Sequence, residues 1–350
     1  MRRRPLRSRG PIAALAVAAL TGGCLVPWYP DGSLVVPAAR PDPPRGVVPP
    51  VPDPTWTQQG MGPHGGPVRR VLYSSDGSTL ITAERDRPVR MWSVTEQRLI
   101  GSLAHGDTLR GLAPHPRAPV LFGAGAGGVW RWDLTTLERQ LIAGQPALEA
   151  RELAVSGDGT RLVTGTVEGH LFIWDVATGT RQVELRFAHD GLINSVGWNR
   201  FRPLIASGGQ DGVAQVRSAH DGAPIDVIQT DRDQVRDALW SPNGQLLAIV
   251  IGDTNYPGIW IWDAEAARVV LSIGTRYAWP DAVAWSPDSM HLAVARDQDI
   301  EIWRATDGQT WKLAEAARGD IDSIAWSRDG RFIAYGDRDG WVSLVPWVER

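Results

Sequence analysis

The residue types of a hydrolytic relay, a His, a hydroxyl and an Asp, occur together twice in the chain. They are His64, Thr82 and Asp86, then His189, Ser207 and Asp211. In that chemistry the carboxylate orients the imidazole and the imidazole takes the hydroxyl proton. Other reactive groups are sparse. The seven His are scattered, and no two have the i, i+4 spacing that lets a helix hold zinc. A single Cys excludes a disulfide framework and an iron–sulfur cluster on four thiolates. The run Gly123 to Gly128 is glycine-rich, but a strand-like segment with Trp130 follows it where a phosphate cradle needs a helix. Asp158-Gly159 and Asp329-Gly330 read as turns, because the further carboxylates of a calcium loop are missing. No metal and no cofactor are expected. The formal charge of −3 gives no bulk attraction to nucleic acid.

The one thiol, Cys24, has a second chemistry available. Arg2, Arg3, Arg4, Arg7 and Arg9 form a basic start, and Gly10 to Leu20 is apolar. Eleven residues suit a signal-peptide core and are short for a membrane span of about 20. Leu20-Thr21-Gly22-Gly23-Cys24 resembles the lipobox of bacterial lipoproteins, with Thr21 where Leu is usual. That resemblance implies cleavage before Cys24, acylation of its thiol and residence at a cell envelope. The uncharged stretch Gly10 to Trp28 leaves an uncleaved anchor open, and a cytosolic chain with an apolar start is a further alternative. Arg3-Arg4 faintly resembles a twin-arginine export signal.

Ten prolines fall between Leu25 and Pro54. Proline fixes φ and lacks an N–H, so this stretch is expected to be a semi-extended tether. The expected organisation is a signal over residues 1–23, the acylated Cys and tether over 24–54, and one folded domain over 55–350.

That domain must position whatever chemistry remains, and it is built of repeats. An apolar strand runs into a small loop (Val68 to Tyr73, then Ser74-Ser75-Asp76-Gly77). A short apolar strand follows (Leu80 to Ala83), then an alternating one ending in Trp (Val89 to Trp92). The last position recurs at Trp132, Trp174, Arg217, Trp262, Trp303 and Val345, in steps of 40 to 45 residues. Period-two alternation between Gly/Asp/Asn turns means antiparallel sheet. Sheets apolar on both faces must stack on neighbours, and a ring of them covers every face. Many of the 17 Trp fall at fixed places in the repeat, where a large flat side chain can fill the gap between units.

Trp132-Asp133, Trp174-Asp175 and Trp262-Asp263, with Trp240-Ser241-Pro242-Asn243-Gly244 and its counterparts at Trp285 and Trp326, resemble the WD-repeat β-propeller family. The resemblance covers Thr57 to Arg350. It implies an all-β, single seven-bladed propeller of four-stranded antiparallel blades. The last repeat ends at its third strand, so the segment Thr55 to Gln59 is expected to supply the outer strand of blade 7 and close the ring. In that family a His, a Ser/Thr, an Asp and the Trp bond within a blade. The resemblance thus implies a structural network of His64, Thr82, Asp86 and Trp92 and disfavours a hydrolytic role.

One set of side chains then stands out. The residue after the start of each first strand is expected at one mouth of the ring: Arg69, Arg110, Arg151, Asn194, Arg236, Asp281 and Asp322. The residue before the turn Asp shares that face: Arg85, Gly125, Val167, Gln210, Asn255, Arg296 and Arg338. Arg69, Arg85, Arg110, Arg151, Arg236, Arg296 and Arg338 form a candidate surface for an acidic protein partner. The expectation is a non-catalytic, lipid-anchored interaction scaffold of the envelope, acting as a monomer. The alternative is a propeller that binds a small anion or sugar at its central channel, with an enzyme the more distant reading.

Overall fold

The computed structural model describes residue 61 and residues 64–105, 108–143, 149–230, 234–252, 257–274, 279–315 and 319–348. Strands are the regular elements of these residues, 27 of them in seven antiparallel sheets. Six sheets have four strands, and the seventh has three among the described residues. The chain is an all-β, seven-bladed propeller.

Within each blade the strands follow one another from the inside outward. The inner strands are Val68–Tyr73, Leu109–Pro114, Ala150–Val155, Ile193–Trp198, Gln234–Trp240, Ala282–Trp285 and Ile321–Trp326. Each touches the inner strands of the two adjacent blades, and the first touches the seventh, so the ring is closed. The expected closing strand, 55–59, lies outside the described residues, as do the signal and the tether. Met61 is described: its N–H donates to Val342 O at 3.0 Å, and His64 N–H donates to Gly340 O at 2.8 Å. Met61 is buried with Val342 and Leu344 of blade 7 and Val68 and Leu80 of blade 1.

Burial falls from the second strand outward. Leu246–Gly252 reads as an unbroken apolar run because neighbouring blades cover both its faces. Arg139–Ala143, an outer strand, exposes three of its five residues to solvent. Trp132, Trp262 and Trp303 are almost wholly enclosed, each wedged against residues of the preceding blade. Burying a side chain of that size stabilises the seam by about 2–3 kcal/mol. Arg217 and Val345 occupy the same third-strand position in Val213–Ser218 and Val342–Pro346.

Six of the seven inner strands share an irregularity, marked by buried apolar residues three apart, such as Val68 and Val71 or Ile193 and Val196, where strict alternation sets them two apart. In blade 1, Val68 faces Glu84 and Arg70 faces Ala83, so Arg69 is an extra residue with no partner across the ladder. The same bulge falls at Arg110, Arg151, Asn194, Arg236 and Asp322. In blade 6 the equivalent Asp281 lies just before its strand. A bulge bends the strand and re-aims one side chain. Here it does so in six blades, at the positions expected on the mouth.

Candidate binding face at the channel mouth

The mouth is bipolar. Around blades 1 to 3, Arg69, Arg70, Arg85, Arg110 and Arg151 line one pocket of about 410 Å³ with Glu84 and Glu152. Around blades 5 to 7 acids predominate. Arg338 bonds Asp320 at 2.7 Å and Asp322 at 3.0 Å, with Asp281 3.8 Å away. Asp322 also accepts from Arg69 at 2.7 Å, across the seam where the ring closes. Arg296 is bound to Glu301 on the next strand of its own blade. Arg236 lies over the ring of Trp279, 5.4 Å from its centre. Asn255 lies outside the described residues.

The seven expected arginines therefore separate into two groups. Arg69, Arg296 and Arg338 are engaged by acids of the protein, and Arg236 covers an aromatic face. Arg85, Arg110 and Arg151 keep most of their hydrogen-bonding capacity. Arg85 is 73% exposed, and its nearest acid among the described residues, Asp86, is at 4.0 Å. Arg110 is 3.7 Å from Glu149, beyond hydrogen-bond length. Arg151 has no ion pair among the described residues, and its Nε is buried without a hydrogen-bond partner. Burial, and then Arg110 and Arg70 nearby, draw its guanidinium below the usual arginine range, against the pull of Glu152. It stays charged at neutral pH all the same.

Beneath the mouth, the central channel holds a cavity of about 520 Å³. Its wall carries Arg70, Glu152, Ser195 and Asp237, the residues that follow the bulge in four blades. Arg70 pairs with Glu152, and Ser195 Oγ donates to Asp237 Oδ1 at 2.5 Å. Burial pushes Glu152 up to about 7; Arg70 opposes the rise and Asp237 adds to it. Burial also raises Asp237, against the Ser195 hydrogen bond and the charge of Arg70. The sequence reading passed over these groups. Listing the next residue of each repeat (Arg70, Gly111, Glu152, Ser195, Asp237, Ala282, Ser323) would have found them. At Gly111 a Cβ would come within 2.9 Å of Arg151 O, so glycine lets blades 2 and 3 approach here.

Two family models match parts of the chain. The Anaphase-promoting complex subunit 4 WD40 domain matches residues 283–349, and the WD domain, G-beta repeat, matches residues 181–217. The repeats are similar to WD40 repeats. Protein HIR1 of Cryptococcus neoformans var. neoformans serotype D is 26% identical over 246 residues, 56% of this chain and 27% of that protein. The Angio-associated migratory cell protein of Canis lupus familiaris is 30% identical over 171 residues, 48% of this chain and 39% of its own length. The WD repeat-containing protein srw1 of Schizosaccharomyces pombe is 25% identical over 298 residues, 80% of this chain and 52% of its own. The chain thus spans between about a quarter and a half of these relatives' length. WD40 propellers are in general non-catalytic surfaces for protein interaction.

The relay-like residues sit inside the WD40-type blades. In blade 1, Thr82 Oγ1 bonds His64 Nε2 at 2.8 Å and accepts from Trp92 Nε1 at 2.9 Å. Asp86 stands apart from this group. It lies at a turn with φ 61°, and its carboxylate accepts from Thr108 of the next blade at 2.7 Å. Blade 4 supplies the Asp that blade 1 turns away: His189 Nδ1 lies 3.0 Å from Asp211 and Nε2 lies 2.7 Å from Ser207 Oγ. Arg217 replaces the Trp there, bonding Gln215 and Gly222 O. The geometry is that of a relay, but Ser207 is 1% exposed and no substrate can reach its oxygen. The Asp158 turn is a loop brace: Ser156, then the Thr160 N–H, holds its carboxyl down at about 2. No cluster of metal-ligating groups occurs among the described residues. No helix among them is long and apolar enough to cross a membrane.

Proposed function

We propose that this chain is a non-catalytic interaction scaffold whose channel mouth captures a protein partner through an acidic segment, seated on Arg85, Arg110 and Arg151. The observation that carries the reading is the contrast on the mouth itself. Three arginines converge on an open pocket with no acid at hydrogen-bond distance among the described residues, while the other rim charges are engaged. The buried His–Ser–Asp set supports a non-catalytic reading, since the one relay-like arrangement is sealed from solvent. In this reading the scaffold works as a single copy at a cell envelope, held by a lipid on Cys24. The support for that placement is the basic start, the short apolar core and the lipobox-like sequence.

Two measurements test it. Co-purification from the host with wild type and with the Arg85→Glu, Arg110→Glu, Arg151→Glu variant should give one dominant partner that the variant loses. Equal recovery by both would remove the rim from the function. The intact mass of the native protein, beside Cys24→Ser, should correspond to residues 24–350 plus acyl chains in wild type only. An unprocessed mass would return the search for partners to the cytosol.

A further inference from the structure

We propose that the pocket over blades 1 to 3 binds one anionic group, a carboxylate or a phosphate, attached to an apolar carbon body. The inference deepens the partner-binding reading and rests on it only for the source of the anion.

Charge inside the pocket is uneven. Glu84 lies between Arg87 at 3.4 Å and Arg90 at 3.5 Å, near enough for charge pairing, with both carboxylate oxygens buried and making no hydrogen bond among the described residues. Arg70 is paired with Glu152, and Arg69 with Asp322. Arg85, Arg110 and Arg151 remain as donors facing the same space. Guanidinium groups gathered without an anion repel one another, and a bound anion relieves that repulsion. Arg151 supplies the geometric cue: a buried Nε–H without an acceptor is uncommon in folded proteins, because such a group forfeits its hydration. An oxyanion in the pocket would accept from it, with a second bond from Arg151's fork or from Arg110.

Size and lining restrict the ligand further. A volume of about 410 Å³ lies within the range of small-molecule sites. Leu109, Leu112, Val167 and Leu192 give it apolar walls, which suit a short hydrocarbon body beside the charge. A nucleic-acid backbone does not fit this arrangement. It would have to run onward over Asp281, Asp320 and Asp322, where like charge repels it. The chemistry therefore fits a lone acidic side chain in an apolar segment of a polypeptide, or a free small acid of the same character.

The test titrates the full chain with 4-methylpentanoate, phenyl phosphate and the blocked tripeptide acetyl-Leu-Asp-Leu-amide, followed by calorimetry and by the Arg Nε–H signals in NMR. Saturable binding is expected for at least one free probe, weakened about tenfold or more by Arg151→Met and by Arg110→Glu. Arg110→Glu carries the test if Arg151→Met unsettles the fold. Arg338→Gln, across the mouth, should change affinity by less than about twofold. A tripeptide that binds about tenfold tighter than the free acids identifies a polypeptide source. Equal or weaker binding identifies a small molecule. Absence of saturation for every probe, or affinities untouched by both pocket variants, overturns the proposal. Partner recovery that ignores the triple variant while the probes still bind removes the rim from partner capture and leaves the anion site standing.

Discussion

Arg69 and Arg110 occupy the same bulge in successive blades, yet the protein engages one and leaves the other largely open. The difference lies in what the neighbouring blade presents. Arg69 stands at the seam with blade 7, where Asp322 reaches it at 2.7 Å. Arg110 stands between blades 1 and 3, whose bulges carry Arg69 and Arg151. One half of the mouth is thus a network that ties blades together, and the other is a cluster of like charges held by the fold. Placement on the rim says little about availability. The adjacent column decides whether an arginine serves the ring or a ligand.

That contrast can be sharpened or broken by mutation. The largest effect on stability is expected beneath the basic half. Arg70→Met leaves Glu152 and Asp237 without their cation, at a cost of about 2–3 kcal/mol in chemical denaturation. This is less than for a fully enclosed pair, because channel water reaches Arg70. Next comes the hub of the acidic half. Asp322→Ala removes the partner of both Arg69 and Arg338 and should cost about 1–2 kcal/mol, since its side chain is only 8% exposed. Arg85→Glu and Arg110→Glu should each change stability by less than about 0.5 kcal/mol while weakening anion binding. A loss above about 1 kcal/mol for either would mean that the basic half is structural too.

A further test is a dependence on pH. The Glu152 carboxyl has an ordinary value of 4.5 and is raised to about 7 in the fold. Between those values the folded chain keeps a proton that the unfolded chain has released. Stability contributed by this group is complete below about 4.5 and is lost as pH rises toward about 7. Thermal unfolding of Glu152→Gln should lack that slope. Anion binding should also be tighter at pH 6 than at pH 8, because the protonated carboxyl no longer offsets the arginines. Asp158 works in the opposite sense at the acid end: its brace on the Ser156 loop is present above the ordinary 3.8 and fails as pH falls toward about 2.

The ring was legible from residue spacing because each blade repeats one burial pattern. Val68 to Tyr73 and Val89 to Trp92 were readable as strands, and the structure gives Val68–Tyr73 and Val89–Ser93. Arg217 and Val345, which break the Trp pattern, still mark third strands, since register is set by the whole blade. The charge pattern of the mouth was not legible. Arg69 and Asp322 are 253 residues apart and meet only because the ring closes. Asp86 left the blade 1 network through a single left-handed backbone angle, which composition cannot report. The bulges did leave a trace, because an extra residue puts the alternation out of phase: Val68 and Val71, or Ala150 and Leu153, are buried three residues apart.

Those bulges have a consequence for how such a molecule can diversify. A residue outside the ladder can be exchanged without shifting the pairing of its strand. Arg, Asn and Asp already fill equivalent bulges within this one chain. The mouth therefore behaves as a set of addresses around a fixed frame, each written by one codon, and new binding specificities can be drafted where the protein does not already engage the side chain, as at Arg110 and Arg151.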